Sequence, residues 1–311
     1  MSKGKVLIAA PIHAILSEGL VAMGYELLKE EKINQDKAFG LVKDCVGIIT
    51  STRLQLDKEL IDAAPLLQWI GRMGSGMEVI DLEYAGSRGI KCYASPEGNS
   101  NAVAEHALGM LLSLNKRIAV SNNEIKAGQW LRDENRGTEL EGKTAGIIGF
   151  GHTGRSLAKK LQAFDMNILV YDKYSNDNMP GYVENCNDIG PIFNRADIVS
   201  FHVPLQKDTV KYLNDNFITN MTKDFVVINT SRGKVVDTKA LLKGLETGKV
   251  KGACLDVWEE EPIDKMSAAS RTLLDQMVNL PQVIITPHIA GYSFEALYKM
   301  SKTLLGKIVT G

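Results

Sequence analysis

Short apolar runs alternate with amphipathic stretches along almost the whole chain. Lys5–Ala9, Val46–Thr50, Gln68–Ile70 and Ile90–Tyr93 are dense in aliphatic and β-branched residues and read as strands. Ile12–Met23, Asp36–Lys43 and Asp57–Ala63 lie between them with helical spacing. A second series of strands follows: Lys143–Phe150, Asn167–Tyr171, Asp197–Phe201, Asp224–Asn229, Gly252–Val257 and Val283–Thr286. Helical stretches intervene again, such as Gly154–Phe164 with Leu157, Leu161 and Phe164 on one face. Near-continuous apolar strands separated by helices predict parallel sheets covered on both faces. One long helix is predicted from Asn101 to about Lys126, with Val103, Ala107, Met110, Leu111, Leu114 and Ile118 at helical spacing. Its place between the two strand series makes it a domain-connecting element.

The 311 residues give room for two domains. The 36 basic and 37 acidic side chains leave a net charge of −1, so nothing draws the chain to nucleic acid or to an anionic membrane. No apolar run approaches the roughly 18 residues of a membrane span. The N-terminal apolar stretch meets Pro11 too early for a signal peptide. Cys45, Cys92, Cys186 and Cys254 are scattered, with no CxxC and no Cys/His cluster, so no metal site is expected. Free thiols without an export signal point to the cytoplasm.

Gly149-Phe150-Gly151-His152-Thr153-Gly154 fits GxGxxG, follows a strand directly and opens a helix. In that setting the first glycine serves the tight turn, the second admits a pyrophosphate to the backbone, and the third lets helix and strand pack. The next strand ends at Asp172, 18 residues after Gly154, where a carboxylate accepts from ribose hydroxyls. It would repel a 2′-phosphate, so NAD is favoured over NADP.

Ligands of an open parallel sheet bind beyond the carboxyl ends of its strands. Thr230-Ser231-Arg232-Gly233, Trp258-Glu259-Glu260-Glu261-Pro262 and Pro287-His288 all follow strands. An arginine, a carboxylate and a histidine thus gather at one edge. Arg232 can hold a substrate carboxylate and polarise the adjacent carbonyl. His288 can take or give the hydroxyl proton. Glu261, with its backbone constrained by Pro262, is the expected partner that favours imidazolium, whereas Glu259 and Glu260 read as solvated loop charges. His13 and His106 fall in helical contexts and read as structural; His202, at a strand end, is expected on the adenine side.

With these residues stand Arg72-Met73-Gly74-Ser75-Gly76, Pro96-Glu97-Gly98-Asn99, Val103-Ala104-Glu105, Asn229–Gly233, Asp256–Pro262 and Pro287–Gly291. Together they make the chain resemble the D-isomer-specific 2-hydroxyacid dehydrogenases over essentially its whole length. The resemblance implies an α/β fold with two doubly wound parallel-sheet domains, a Rossmann cofactor domain inserted in a flavodoxin-like substrate domain. Residues 1–100 plus 288–311 would form the substrate domain, and 101–287 the NAD-binding domain, with a cleft between them. It implies Arg232, Glu261 and His288 as the catalytic trio. His152 and Thr153 would face the pyrophosphate and Asp172 the ribose. Val203, Pro204, Thr230 and Asp256 would line the adenine and nicotinamide parts, with Asp256 on the nicotinamide amide; Ser231 and Gly291 are placed at the cofactor too. Gly74, Ser75 and Gly76 would offer backbone N–H groups to the substrate carboxylate, and Asn99 would sit at the hinge and cleft. A homodimer through the cofactor domain is expected.

Arg72, Gly98-Asn99-Ser100 and the run 137–144 resemble the phosphoglycerate dehydrogenase branch, which makes 3-phosphoglycerate the expected substrate and Arg72 a phosphate contact. Thr50-Ser51 stands where the family often has Arg-Ser, which leaves Arg53 to supply the missing cation. Two alternatives stay open: a glyoxylate, hydroxypyruvate or D-lactate type reductase of the same family, and an NAD-sensing corepressor-like binding protein.

Overall fold

The computed structural model describes residues 3–174 and 179–311. The chain divides into two compact units, Met1–Ala102 with Gly291–Gly311, and Val103–Ala290.

The first unit runs β1 (Gly4–Ile8), α1 (Ala14–Ala22), β2 (Tyr25–Lys29), α2 (Gln35–Leu41), β3 (Cys45–Thr50), α3 (Lys58–Asp62), β4 (Trp69–Arg72), α4 (Leu82–Ser87) and β5 (Lys91–Ala94). Its sheet has the order β2-β1-β3-β4-β5 and every pair is parallel, the flavodoxin arrangement. Polar side chains start the helices. Asn34, Asp57 and Asp81 each accept the backbone N–H three residues on, satisfying a donor the helix cannot. Strand alternation divides the core between two faces. Leu7, Ile48 and Ile70 pack one way; Val6, Ile8, Ile49 and Trp69 pack the other, against the last helix of the chain.

α5 (Pro96–Asn115) carries the chain into the second unit, followed by α6 (Ile118–Lys126). The single helix expected to Lys126 is therefore two. Arg117 adopts a left-handed φ of 53° and breaks it, in a stretch where no glycine or proline marks the break. The helix also begins earlier than expected, at Pro96, whose fixed φ and missing N–H suit a first helical position.

The rest of the second unit runs β6 (Thr144–Ile148), α7 (His152–Gln162), β7 (Asn167–Tyr171), β8 (Val183–Asn185), α8 (Gly190–Arg195), β9 (Ile198–Phe201), α9 (Asp215–Asn220), β10 (Phe225–Asn229), α10 (Thr238–Glu246), β11 (Val250–Leu255), α11 (Ala268–Val278) and β12 (Val283–Ile285). The sheet order is β12-β11-β10-β9-β6-β7-β8, all parallel. Order reverses between β6 and β9, the switch point where such sheets take ligands. Ile148, Leu169, Val199, Val227 and Leu255 face one helical layer, and Ile147, Ile168, Val170, Ile198 and Ile228 the other. The chain closes with α12 (Phe294–Thr310), whose Ala296, Met300, Leu304 and Ile308 complete the first unit's core. Among the described residues no helix is long and apolar enough to cross a membrane.

Candidate active site

The glycine-rich turn joins β6 to α7. Gly149 has a φ of +91°, and a side chain on it would run into the backbone of His202. A side chain on Gly154 would meet the carbonyl of Gly149, so this glycine sets how closely helix and strand pack. Gly151 differs: a Cβ there would meet nothing within 4 Å. The turn thus leaves an open approach at its middle glycine, beside the first turn of α7, where His152 and Thr153 sit. The N–H groups of Gly151 and Thr153 donate to no acceptor among the described residues. Open donors at a helix N-terminus next to a bare glycine fit a pyrophosphate. Asp172, just past β7, accepts the Phe150 N–H at 2.5 Å and the Tyr174 N–H at 2.8 Å, which fastens its carboxylate beside the turn.

The ends of β10, β11 and β12 are neighbours in the sheet and carry the charged trio. Past β10, the buried Asn229 shapes the turn. Its Oδ1 accepts from the Ser231 N–H at 3.1 Å and the Ser231 hydroxyl at 2.8 Å, and its Nδ2 donates to the Arg232 carbonyl at 2.9 Å. Gly233 lies against the Trp258 carbonyl, where any side chain would collide. The Arg232 side chain donates to the Ser231 carbonyl at 2.6 Å and is half-buried.

His288 Nδ1 lies 2.5 Å from Glu261 Oε1, and Glu261 Oε2 accepts the Trp258 N–H at 3.1 Å. The hydrogen bond to Glu261 holds the imidazole above its ordinary pKa; burial and the Arg232 charge oppose this, and the charges of Glu261 and Asp256 add to it. Burial alone would raise the Glu261 carboxyl, but the His288 bond and charge, the Trp258 N–H and Arg232 bring it below its ordinary value. Both shifts favour a charged pair. With Nδ1 engaged, Nε2 is the nitrogen left for proton transfer.

Asp256 is 1% exposed. Its Oδ1 accepts from Thr286 Oγ1 at 2.5 Å and the Ile289 N–H at 2.9 Å, its Oδ2 from the Ala290 N–H at 2.8 Å. The carboxylate expected on the nicotinamide amide is held by the loop that carries His288. His202 Nε2 lies 2.8 Å from Ser200 Oγ, and burial pushes its pKa down to about 4, so its ring is neutral. Glu259 and Glu260 are not idle loop charges: they accept the N–H groups of Thr238 and Ser267, each at 2.7 Å, at the starts of α10 and α11. Val203 stands beside Gly149, Pro204 is exposed, and Thr230 is buried with no partner for its hydroxyl among the described residues.

In the first unit, Gly74-Ser75-Gly76 follows β4. Ser95 Oγ accepts the Gly74 N–H at 3.0 Å and donates to the Arg72 carbonyl, and the Ser75 hydroxyl donates to Asn99 Oδ1 at 3.1 Å. The N–H groups of Ser75 and Gly76 donate to no acceptor among the described residues. Arg72 is only 8% exposed. Its guanidinium curls back onto the Met73 carbonyl, into the space left by the missing side chain of Gly74. The outward reach to a phosphate expected of Arg72 does not fit that placement. Arg53, past β3, is exposed and makes no ion pair among the described residues. Gly291 begins the closing segment of the first unit.

A family model described as D-isomer specific 2-hydroxyacid dehydrogenase, NAD binding domain, matches residues 108–290. The chain belongs to the D-isomer-specific 2-hydroxyacid dehydrogenase family. Its second unit is the family's NAD-binding domain, as the glycine turn and Asp172 had led one to expect. D-3-phosphoglycerate dehydrogenase of Archaeoglobus fulgidus is 32% identical over 306 residues, 98% of this chain and 56% of that protein. Glyoxylate reductase of Thermofilum pendens is 37% identical over 267 residues, 84% of this chain and 76% of that protein. The solved D-lactate dehydrogenase of Aquifex aeolicus, complexed with NAD and lactic acid, superposes with a TM-score of 0.83 at 28% identity, covering 98% and 94% of the two chains. The chain spans about half the length of the curated phosphoglycerate dehydrogenases it matches.

Asn229, Gly233 and Ser95 were not among the expected site residues. Asn229 and Gly233 bracket the Thr-Ser-Arg turn, and Ser95 directly precedes Pro96, so each had a positional signal in the sequence.

Proposed function

We propose that the chain interconverts a small D-2-hydroxy acid and its 2-oxo acid with NAD, and that the physiological pair is 3-phosphoglycerate and 3-phosphohydroxypyruvate. The observation that carries the chemistry is the 2.5 Å His288–Glu261 pair on the sheet edge that also presents Arg232. The amides of Gly151 and Thr153 would hold the pyrophosphate, and Asp172 the ribose. NAD, when bound, supplies the hydride acceptor or donor. In oxidation His288 Nε2 takes the hydroxyl proton as the C2 hydrogen leaves with its electron pair. In reduction the same nitrogen returns that proton to the forming alkoxide. Glu261 stabilises the imidazolium in both directions. Arg232 clamps the carboxylate and polarises the neighbouring carbonyl with its planar donors. The open N–H groups of Ser75 and Gly76 suit a carboxylate. Arg53 takes the phosphate role first given to Arg72.

One observation favours a second reading. The inward turn of Arg72 suits an unphosphorylated acid, and glyoxylate reductase is the name borne by the Thermofilum pendens relative. NADH oxidation with phosphohydroxypyruvate, hydroxypyruvate, glyoxylate and pyruvate separates the two. A kcat/KM for phosphohydroxypyruvate no higher than for glyoxylate would replace the first reading with the second. Inactive His288→Gln beside active wild type would tie the turnover to this site.

We further propose a homodimer through the second unit. Ile118 and Ile125, one helical face of α6, and Trp130, 83% exposed, leave large apolar surface in water. Sedimentation of wild type and Trp130→Glu tests it; a monomeric wild type refutes it.

A further inference from the structure

A file of three side chains in the second unit lies outside the chemistry proposed above. His106, on α5, has its Nε2 2.9 Å from Thr286 Oγ1, and Thr286 Oγ1 is 2.5 Å from Asp256 Oδ1. What each group can donate fixes the direction of both bonds. The Asp256 carboxylate already accepts two backbone N–H groups, so toward Thr286 it is again the acceptor. Thr286 gives it the single proton of its hydroxyl and can only accept from the histidine. His106 therefore carries its ring proton on Nε2.

The far end of this file is the turn that bears His288. Asp256 receives the N–H of Ile289 and of Ala290 on its carboxylate and the N–H of His288 on its carbonyl, the last at 2.8 Å. His288 has a φ of +56°, a conformation a side-chain-bearing residue keeps only when its surroundings insist on it. The Asp256 carboxylate can hold that turn only while its own orientation is held. Of the side chains that reach it, Thr286 makes the hydrogen bond; His106 Nε2 stands 3.6 Å from the same Asp256 oxygen and orients the Thr286 hydroxyl. The remaining neighbour of the Thr286 hydroxyl is the Met110 sulfur at 3.9 Å, a weak acceptor that cannot donate to it.

We propose that His106 is a positioning residue for the reaction: through Thr286 and Asp256 it keeps the His288 turn in the conformation that sets the imidazole against Glu261. This rests on the reading of His288 as the proton carrier. His106 needs only an N–H donor at its tip to act in this way, so a neutral amide can replace it.

The test compares His106→Ala, His106→Gln, Thr286→Val and Thr286→Ser in the full chain, using NADH oxidation with the best 2-oxo acid. His106→Ala should lower kcat about tenfold, the weight of one lost hydrogen bond, with KM for NADH within about twofold of wild type. His106→Gln should recover most of that loss, and Thr286→Ser should stay near wild type because it keeps the hydroxyl. Thr286→Val should match His106→Ala, and the double variant should be no slower than either, because both break the same file. A wild-type kcat in His106→Ala, a Gln variant no better than Ala, or losses that multiply in the double variant would each overturn the proposal. Wild-type activity in His288→Gln would overturn the underlying reading and this proposal with it. An inactive His288→Gln beside a fully active His106→Ala would overturn this proposal alone.

Discussion

Replacing Glu261 by Gln is the sharpest probe of the acid–base pair. The change keeps the size of the side chain and a hydrogen-bonding oxygen toward His288 Nδ1, but removes the charge that favours imidazolium. His288 stands above its ordinary pKa chiefly through this bond, so in the variant its pKa falls. Magnitude follows from the geometry. A charge-assisted bond contributes ~1.5–3 kcal/mol and a neutral one ~0.5–1.5 kcal/mol. The His288 and Glu261 side chains are 44% and 36% exposed, so water screens part of the difference. About 1 kcal/mol remains, roughly a fivefold effect. Its sign depends on direction. Reduction needs protonated His288, so its activity is full below the pKa and is lost as pH rises through it; the variant loses it earlier. Oxidation needs neutral His288, so the variant keeps more of its activity on the acid side. The assay is kcat/KM against pH in both directions, with NADH plus 2-oxo acid and NAD plus 2-hydroxy acid. Profiles that superimpose on wild type would refute the pairing, because neither Glu259 nor Glu260, each bonded to a helix start, is placed to substitute.

Gly151→Ala and Gly154→Ala should behave oppositely. The first adds a methyl to open space, so melting should be unchanged while KM for NAD rises; the second meets the Gly149 carbonyl and should lower stability by ~1–3 kcal/mol, read by urea titration. Asp172→Ala should narrow the preference for NAD over NADP, measured as a ratio of kcat/KM values; an unchanged ratio would remove Asp172 from cofactor choice. Arg53→Ala should cost about ten- to a hundredfold in kcat/KM with phosphohydroxypyruvate and leave glyoxylate turnover intact, and equal losses on both would take phosphate recognition away from Arg53. Asn229→Leu should release the Arg232 turn, lowering kcat/KM about tenfold or more, and wild-type kinetics would show that the turn holds itself.

The two-sheet architecture was legible because each central strand is buried on both faces and so reads as an unbroken apolar run. The strands missed, β2 and β8, are edge strands. Tyr25–Lys29 mixes charge with apolar residues and Val183–Asn185 is three residues long, so neither carries the pattern. The end of α5 was hidden for another reason: Lys116-Arg117-Ile118 contains no residue that disfavours helix, and the break comes from one left-handed φ. Among site residues, those at strand ends were readable, because topology alone brings Arg232, Glu261 and His288 to one edge. The inward turn of Arg72 and the file from His106 to Asp256 were not. The first depends on a cavity that Gly74 leaves, and the second joins residues up to 180 positions apart with no local signature.

The place of α12 in the chain has a consequence for synthesis on the ribosome. The first unit's sheet is translated first, yet the core behind Val6, Ile8, Ile49 and Trp69 is filled by Met300, Leu304 and Ile308, and Lys307 ties the closing helix to Glu97 and to the Ala94 carbonyl. Roughly 190 residues of the second unit separate the two parts. At about 5–20 residues per second, the early sheet waits roughly 10–40 s with that apolar face covered only in part, by Leu16 and Leu20 of α1, while the later-made unit has all its own strands before α12 emerges. The nascent chain therefore finishes its middle before its beginning, and in that interval a chaperone that shields sheet faces has a defined client: the β1, β3 and β4 surface awaiting its last helix.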